Sequence, residues 1–297
     1  MSAAADVRAV ATGRDSGGLS FRRKAVNFIM LNLTGLCTLI AVGLLFFILG
    51  YLFVQGGFSL NLDFFTKLPV PVGEMGGGMA NALVGSAKVL LLATCIGVPI
   101  GFLAGIYLAE YASPAFAATI QFVTDLLNGV PSIVIGIFAY TLIVIKIGFS
   151  TLAGGVALGV MMIPIALRST EEFLRSVPGS LREGAMALGA TKSRTIATVV
   201  VPAAIRGLIS GMMLNLARVA GETAPLLFTA LGNQFWSQGW KQPTATLPAM
   251  IYEYAKAPYD DWHRQAWAAG FMLLMLVLVV NVTARSIVAG GFSHKQR

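Results

Sequence analysis

Charged residues vanish from this chain for long stretches, and the stretches recur. None falls between Lys24 and Asp63, and residues 89–109, 126–145, 147–167 and 265–284 are equally free of them. Each run is near the ~20 residues that an apolar helix needs to cross ~30 Å of hydrocarbon. A further run at about 203–231 is long enough but holds Arg218 and Glu222 in its interior. The pattern predicts an all-α membrane protein with six transmembrane helices, at about 26–53, 83–110, 119–146, 149–168, 203–231 and 265–288. They form one transmembrane domain, 23–290, between a small, polar, disordered tail at 1–22 and a short tail at 291–297. Arg22-Arg23-Lys24 resembles the start of a signal peptide, but the apolar run behind it is too long for one.

The polar interruption at 164–225 is the exception to this pattern. Pro178-Gly179 is a turn signal, and Ser180 and Glu183 have the spacing of a capping box. A helix is therefore expected over 181–188, closed by Gly189, with a small face of Gly184, Ala185 and Ala187. Such a helix fits a groove on another protein, or it is a plain amphipathic surface helix; spacing does not decide. The Gly184-x4-Gly189 spacing imitates a phosphate-binding loop, but Ala190-Thr191 follows where Lys-Ser/Thr is required. This chain accordingly has no ATPase site of its own.

Composition agrees with the membrane assignment: 56% of residues are hydrophobic and 11% charged, with a mean hydropathy of +0.77, against about a quarter charged in soluble domains. The net charge of +8 is unevenly placed. Arg8, Arg14, Arg22, Arg23 and Lys24 precede the first span, and Arg168, Arg175, Arg182, Lys192, Arg194 and Arg206 occupy the central interruption. Arg285, Lys295 and Arg297 follow the last span, while the opposite loops hold Lys67, Lys241, Lys256 and Arg264. The positive-inside rule puts both termini and the 169–202 loop in the cytoplasm. Bases spread along helix ends, not clustered with aromatics, argue against a nucleic-acid partner. Trp236, Trp240, Tyr252, Tyr254, Tyr259 and Trp262 on the far side suit an interfacial belt in contact with lipid, with a short surface helix at 247–256.

Cys37 and Cys95 fall inside spans, and no metal spacing exists. His263 and His294 lie far along the chain from the intramembrane charges, which removes the constellation a membrane-embedded enzyme would need. Pro99, Pro131, Pro164 and Pro225, with many glycines, allow helices to pack closely and to bend, in a static bundle as well as a moving one. Arg218 and Glu222 are spaced i, i+4. Either they pair and lock two helices, or Arg218, with Arg168 at the end of the fourth span, lowers the barrier for an anion.

Glu183-Gly184-Ala185-x3-Gly189, followed after nine residues by Val199-Val200-Val201-Pro202, resembles the Glu-Ala-Ala loop of ABC-importer permeases. Gly184, Val199 and Val201 are small or conservative departures from it. The stretches at 127–136 and 218–226 are similar to those of phosphate-specific permeases of the PstA type, and the resemblance covers roughly 20–290. It implies a permease core with a cytoplasmic coupling helix, in which Arg182, Glu183, Gly184, Ala185 and Gly189 engage an ATPase. Arg168 and Arg218 would form the phosphate path, with Glu171 and Glu222 as pairing or gating partners and Thr223 and Ser132 as hydrogen-bond donors. It further implies a bacterial inner-membrane complex with a homologous second permease (PstC type), two ATPase subunits that hold ATP and Mg, and a periplasmic phosphate-binding protein. Permeases for sulfate or molybdate would also welcome the arginines. An ATPase-independent secondary transporter would not need the capped cytoplasmic helix.

Overall fold

The computed structural model describes residues 16–72, 74 and 76–293. The tail readings at 1–15 and 294–297 lie outside the described residues. No strand occurs among the described residues. Five helices are long and apolar enough to span a membrane, and six spans result if one sharply bent pair counts as a single crossing.

The chain divides at Phe53 and Val54 into two compact units. The first contains most of α1 (Ser16–Ser59). The window that qualifies α1 as a span has none of its residues buried, so its apolar surface suits lipid or another protein on every side. Its polar side chains are satisfied locally. Asn32, Thr34 and Thr38 each donate to the carbonyl four residues back at 2.8 Å.

The second unit is built on α3 (Ala80–Glu110) and α6 (Thr151–Arg175); α2 (Leu62–Thr66) precedes them. Gly97, Gly101 and Gly105 put one face of α3 directly on α6. A Cβ on each would stand 2.4, 2.5 and 2.5 Å from the Cβ atoms of Met162, Ala166 and Thr170. This spacing of small residues every fourth position lets two backbones approach in lipid. Val89, Ala93, Leu158, Met162, Val219 and Leu226 form the buried cluster at the centre of the unit.

Two expected spans are not single helices. The run at 119–146 is α4 (Pro114–Gly129) and α5 (Ser132–Ile147), which meet at 94°. Pro131 lacks an N–H and forces Val130 out of the helical region, at ψ 129°. The run at 203–231 begins earlier, in α8 (Lys192–Ala220), and breaks at Gly221–Thr223 before α9 (Ala224–Thr229). The fourth helix runs past the expected 168 to Arg175.

Helix α10 (Leu247–Lys256) does not rest on a membrane surface alone. Its Leu247, Met250 and Tyr254 are buried with Phe64, Met79 and residues of α11 (Asp260–Ser293). Tyr254 stacks on Trp262 at 4.2 Å between centroids, whereas Trp236, Trp240, Tyr252 and Tyr259 remain exposed. The segment before α10 is pinned to α3. Asn81 donates to Asn233 O at 2.5 Å, Lys88 to Ser237 O at 3.0 Å, and Leu247 N to Ser86 Oγ at 2.7 Å.

Candidate functional site

Both interrupted helices break beside the same space. A cavity of about 470 Å³ is lined by Asn128, Pro131 and Ser132 at the α4–α5 bend, Pro164 of α6, and Arg218 and Glu222 at the end of α8. A second, of about 750 Å³, is lined by Asn128, Arg168, Ser169, Glu172, Asn215 and Arg218, with Asn281 and Arg285 of α11. Arg218, Asn128 and Ile165 wall both cavities, so Arg218 stands at their junction. Helix α5 enters the first cavity with no side-chain cap at Pro131, which leaves the positive end of its dipole there.

The i, i+4 spacing of Arg218 and Glu222 does not place them on one helical face. Helix α8 stops at Ala220, and the Gly221 N–H closes onto Arg218 O at 3.2 Å. No ion pair joins the two side chains among the described residues; both face the first cavity instead. The pair is therefore not formed in this structure, and Arg218 lines both cavities.

Arg168 is committed differently. Its guanidinium lies 3.3 Å from Glu172 Oε1 and 3.6 Å from Glu171 Oε2. Glu171 itself is 1% exposed and lines neither cavity. Arg175 holds it at 2.8 Å and Gln121 donates to it from α4. Glu171 thus orients Arg168 and ties α4 to α6, while Glu172 faces the second cavity. Ser132 lines the first cavity; Thr223 lines neither and leads into α9 without a side-chain cap.

Sequence reasoning passed over the cavity's amides, although an asparagine inside an apolar run is itself a signal. Asn215 is 1% exposed; it donates to Met162 O at 3.0 Å while its Oδ1 has no hydrogen-bond partner. Asn128, Asn281 and Arg285 complete the polar wall. Three guanidiniums (Arg168, Arg218 and Arg285), several amides and hydroxyls, and one helix N-terminus can coordinate an oxyanion between apolar walls.

Helix α7 (Gly179–Ala187) follows the end of α6 at Arg175 after a short connection. The expected capping box is not formed: the helix starts one residue before Ser180, at Gly179, capped by Pro178 with no side-chain bond. Gly189, at φ +86°, ends it in the left-handed conformation that glycine adopts without strain. Leu181, Glu183, Gly184, Met186 and Leu188 are exposed and Ala185 is half-buried. Arg182 is turned inward, bonded to Glu110 at 2.8 Å, so it does not share the outward face.

A bundle of broken apolar helices around a cavity that sets a few polar groups in apolar walls, with an exposed short helix, is the arrangement of a transport permease. Residues 97–290 match the family described as "Binding-protein-dependent transport system inner membrane component". More narrowly, the chain belongs to the PstA family of phosphate transport system permease proteins. It is 43% identical over 269 residues to the PstA protein of Yersinia pestis, covering 90% of this chain and 91% of that one. The Haemophilus influenzae protein of the same name is 43% identical over 276 residues, covering 92% and 96%. A probable PstA of Methanocaldococcus jannaschii is 34% identical over 260 residues, covering 86% and 92%. Solved structures share the fold. A bacterial alginate ABC transporter chain superposes with a TM-score of 0.59 at 15% identity, over 91% of this chain and 97% of that one. The inward-facing MetNI methionine transporter gives 0.56 at 21%, over 72% and 94%.

Proposed function

We propose that this chain is the membrane-spanning permease subunit of an ATP-driven importer and moves inorganic phosphate by alternating access. The observation that supports it is Arg218, an intramembrane guanidinium at the junction of two cavities with no carboxylate partner among the described residues. A charge in such a place is retained against a cost of a few kcal/mol. Its planar fork of donors matches two phosphate oxygens at once. The α5 N-terminus and Ser132 add donors on one side of Arg218, and Arg168 offers a second station on the other. Arg168 must loosen its contact with Glu172 to serve, which makes that pair a gate.

In this reading α7 docks on an ATPase through Glu183, Gly184, Ala185 and its exposed apolar residues. ATP and Mg belong to two such partner subunits. A homologous second permease completes the passage, a periplasmic phosphate-binding protein delivers the anion, and both termini and α7 face the cytoplasm.

Reconstitution of the complete transporter in lipid vesicles tests the reading. Uptake of labelled phosphate should require ATP, the ATPase and the binding protein. Arg218→Gln should lower uptake roughly a hundredfold, equivalent to ~3 kcal/mol, while the subunits still copurify; Arg218→Lys should fall between. Uptake of sulfate with indifference to phosphate would reassign the substrate. Loss of assembly together with transport in Arg218→Gln would return Arg218 to a structural role.

A further inference from the structure

Glu110 is the last residue of α3, where a carboxylate meets the negative end of its own helix dipole. Its side chain is nevertheless 7% exposed and pairs with Arg182, while two further cations bond backbone carbonyls at the same helix end. Arg182 of α7 donates to Glu110 Oε1 through Nε at 3.1 Å and Nη2 at 2.8 Å. Lys192, in the first turn of α8, donates to Glu110 O and stands 4.7 Å over the Tyr111 ring. Arg175, at the end of α6, reaches Leu108 O at 3.4 Å. The Arg182 guanidinium also donates to Leu174 O at 2.6 Å and Val177 O at 2.5 Å, the carbonyls that close α6.

One side chain therefore joins α7 to the ends of both α3 and α6. The bond matters because α7 buries none of its residues. Apolar packing does not fix its position, and the chain on either side is short coil. Arg182 is what seats it. A buried ion pair contributes little net stability but specifies one geometry, and removing either partner leaves an uncompensated charge.

We infer that Glu110 and Arg182 are positioning residues for coupling: the pair is the clamp through which movement of α7 passes into the α3–α6 pair. Helix α6 carries Arg168 within two turns of the clamp, so the push arrives at the gate of the second cavity. The inference rests on α7 being the ATPase handle. It adds that the handle works through α3, not only through its two chain ends.

The decisive quantity is phosphate taken up per ATP hydrolysed, measured on the complete transporter in vesicles with the binding protein supplied. In Glu110→Ala, hydrolysis stimulated by the loaded binding protein should stay within about twofold of the unaltered protein. Uptake per ATP should fall roughly tenfold, inside the 5–150-fold range of coupling between sites. Glu110→Gln accepts the same N–H groups and should stay within about threefold. A ratio unchanged in Glu110→Ala, or hydrolysis and uptake falling together, overturns the clamp. If Glu110→Ala does not assemble, Arg182→Lys decides, since an ammonium reaches Glu110 but cannot serve three acceptors in the guanidinium's plane. An unchanged ratio there overturns the clamp equally. Should the unaltered complex move another oxyanion, the same ratio is taken with that ion, so an error in substrate leaves the clamp testable. Uptake without any ATPase overturns the handle and the clamp with it.

Discussion

Burial pushes the Tyr254 hydroxyl from its ordinary 10.0 up to about 12, and Glu253 and Asp261 add to the effect. The sign follows from linkage. The folded protein resists forming the phenolate that the unfolded chain forms freely, so stability is complete below pH 10 and declines as pH approaches 12. Tyr254→Phe should remove this contribution. Its melting temperature should fall less steeply than that of the unaltered protein between those values in a pH series. Other side chains differ in how far the sequence exposes them. Arg218 is conspicuous because a charge in the interior of an apolar run has few structural excuses. Arg182 is not: its partner Glu110 lies 72 residues away and only the fold brings them together. Glu171 reads as a path residue for the same reason, since its burial among Arg175 and Gln121 depends on two helices meeting.

At the level of elements, hydropathy located every apolar segment but could not show which of them bend. Pro131 sits at a helix break and Pro225 in the first turn after one, whereas Pro99 and Pro164 lie inside continuous helices. A proline's consequence depends on whether neighbours re-satisfy the freed carbonyl. The glycines show the same limit. Gly97, Gly101 and Gly105 bring α3 directly onto α6, yet their spacing means little until a partner helix is opposite. Gly101→Ala should destabilise the protein by about 1–3 kcal/mol, because its Cβ would stand 2.5 Å from that of Ala166 and 2.8 Å from Ile163 O. Thermal denaturation in detergent measures it. Gly129→Ala, with no atom within 4 Å, serves as the control and should be near neutral.

For the molecule as a whole, the loop motif at 183–202 and the apolar runs made the permease class legible, because both are local patterns. The cavities were not legible, because they are spaces left by α4, α5, α6, α8 and α11 together. Gly184 lies on the open side of α7 with nothing within 4 Å of an added Cβ, so a larger residue there leaves the fold alone. Gly184→Trp should therefore preserve the melting temperature and still abolish copurification with the ATPase or ATP-driven uptake; unchanged uptake would count against docking there. Along the α3–α6 contact Gly97, Gly101 and Gly105 have no rotamers to freeze, so the α3 side adds no side-chain entropy cost, and each glycine meets the α6 backbone directly. The two helices therefore share one set of rigid-body coordinates. The torsions at Val130–Pro131 and Gly221–Thr223, where the backbone beside Arg218 leaves the helix, can change without opening that contact.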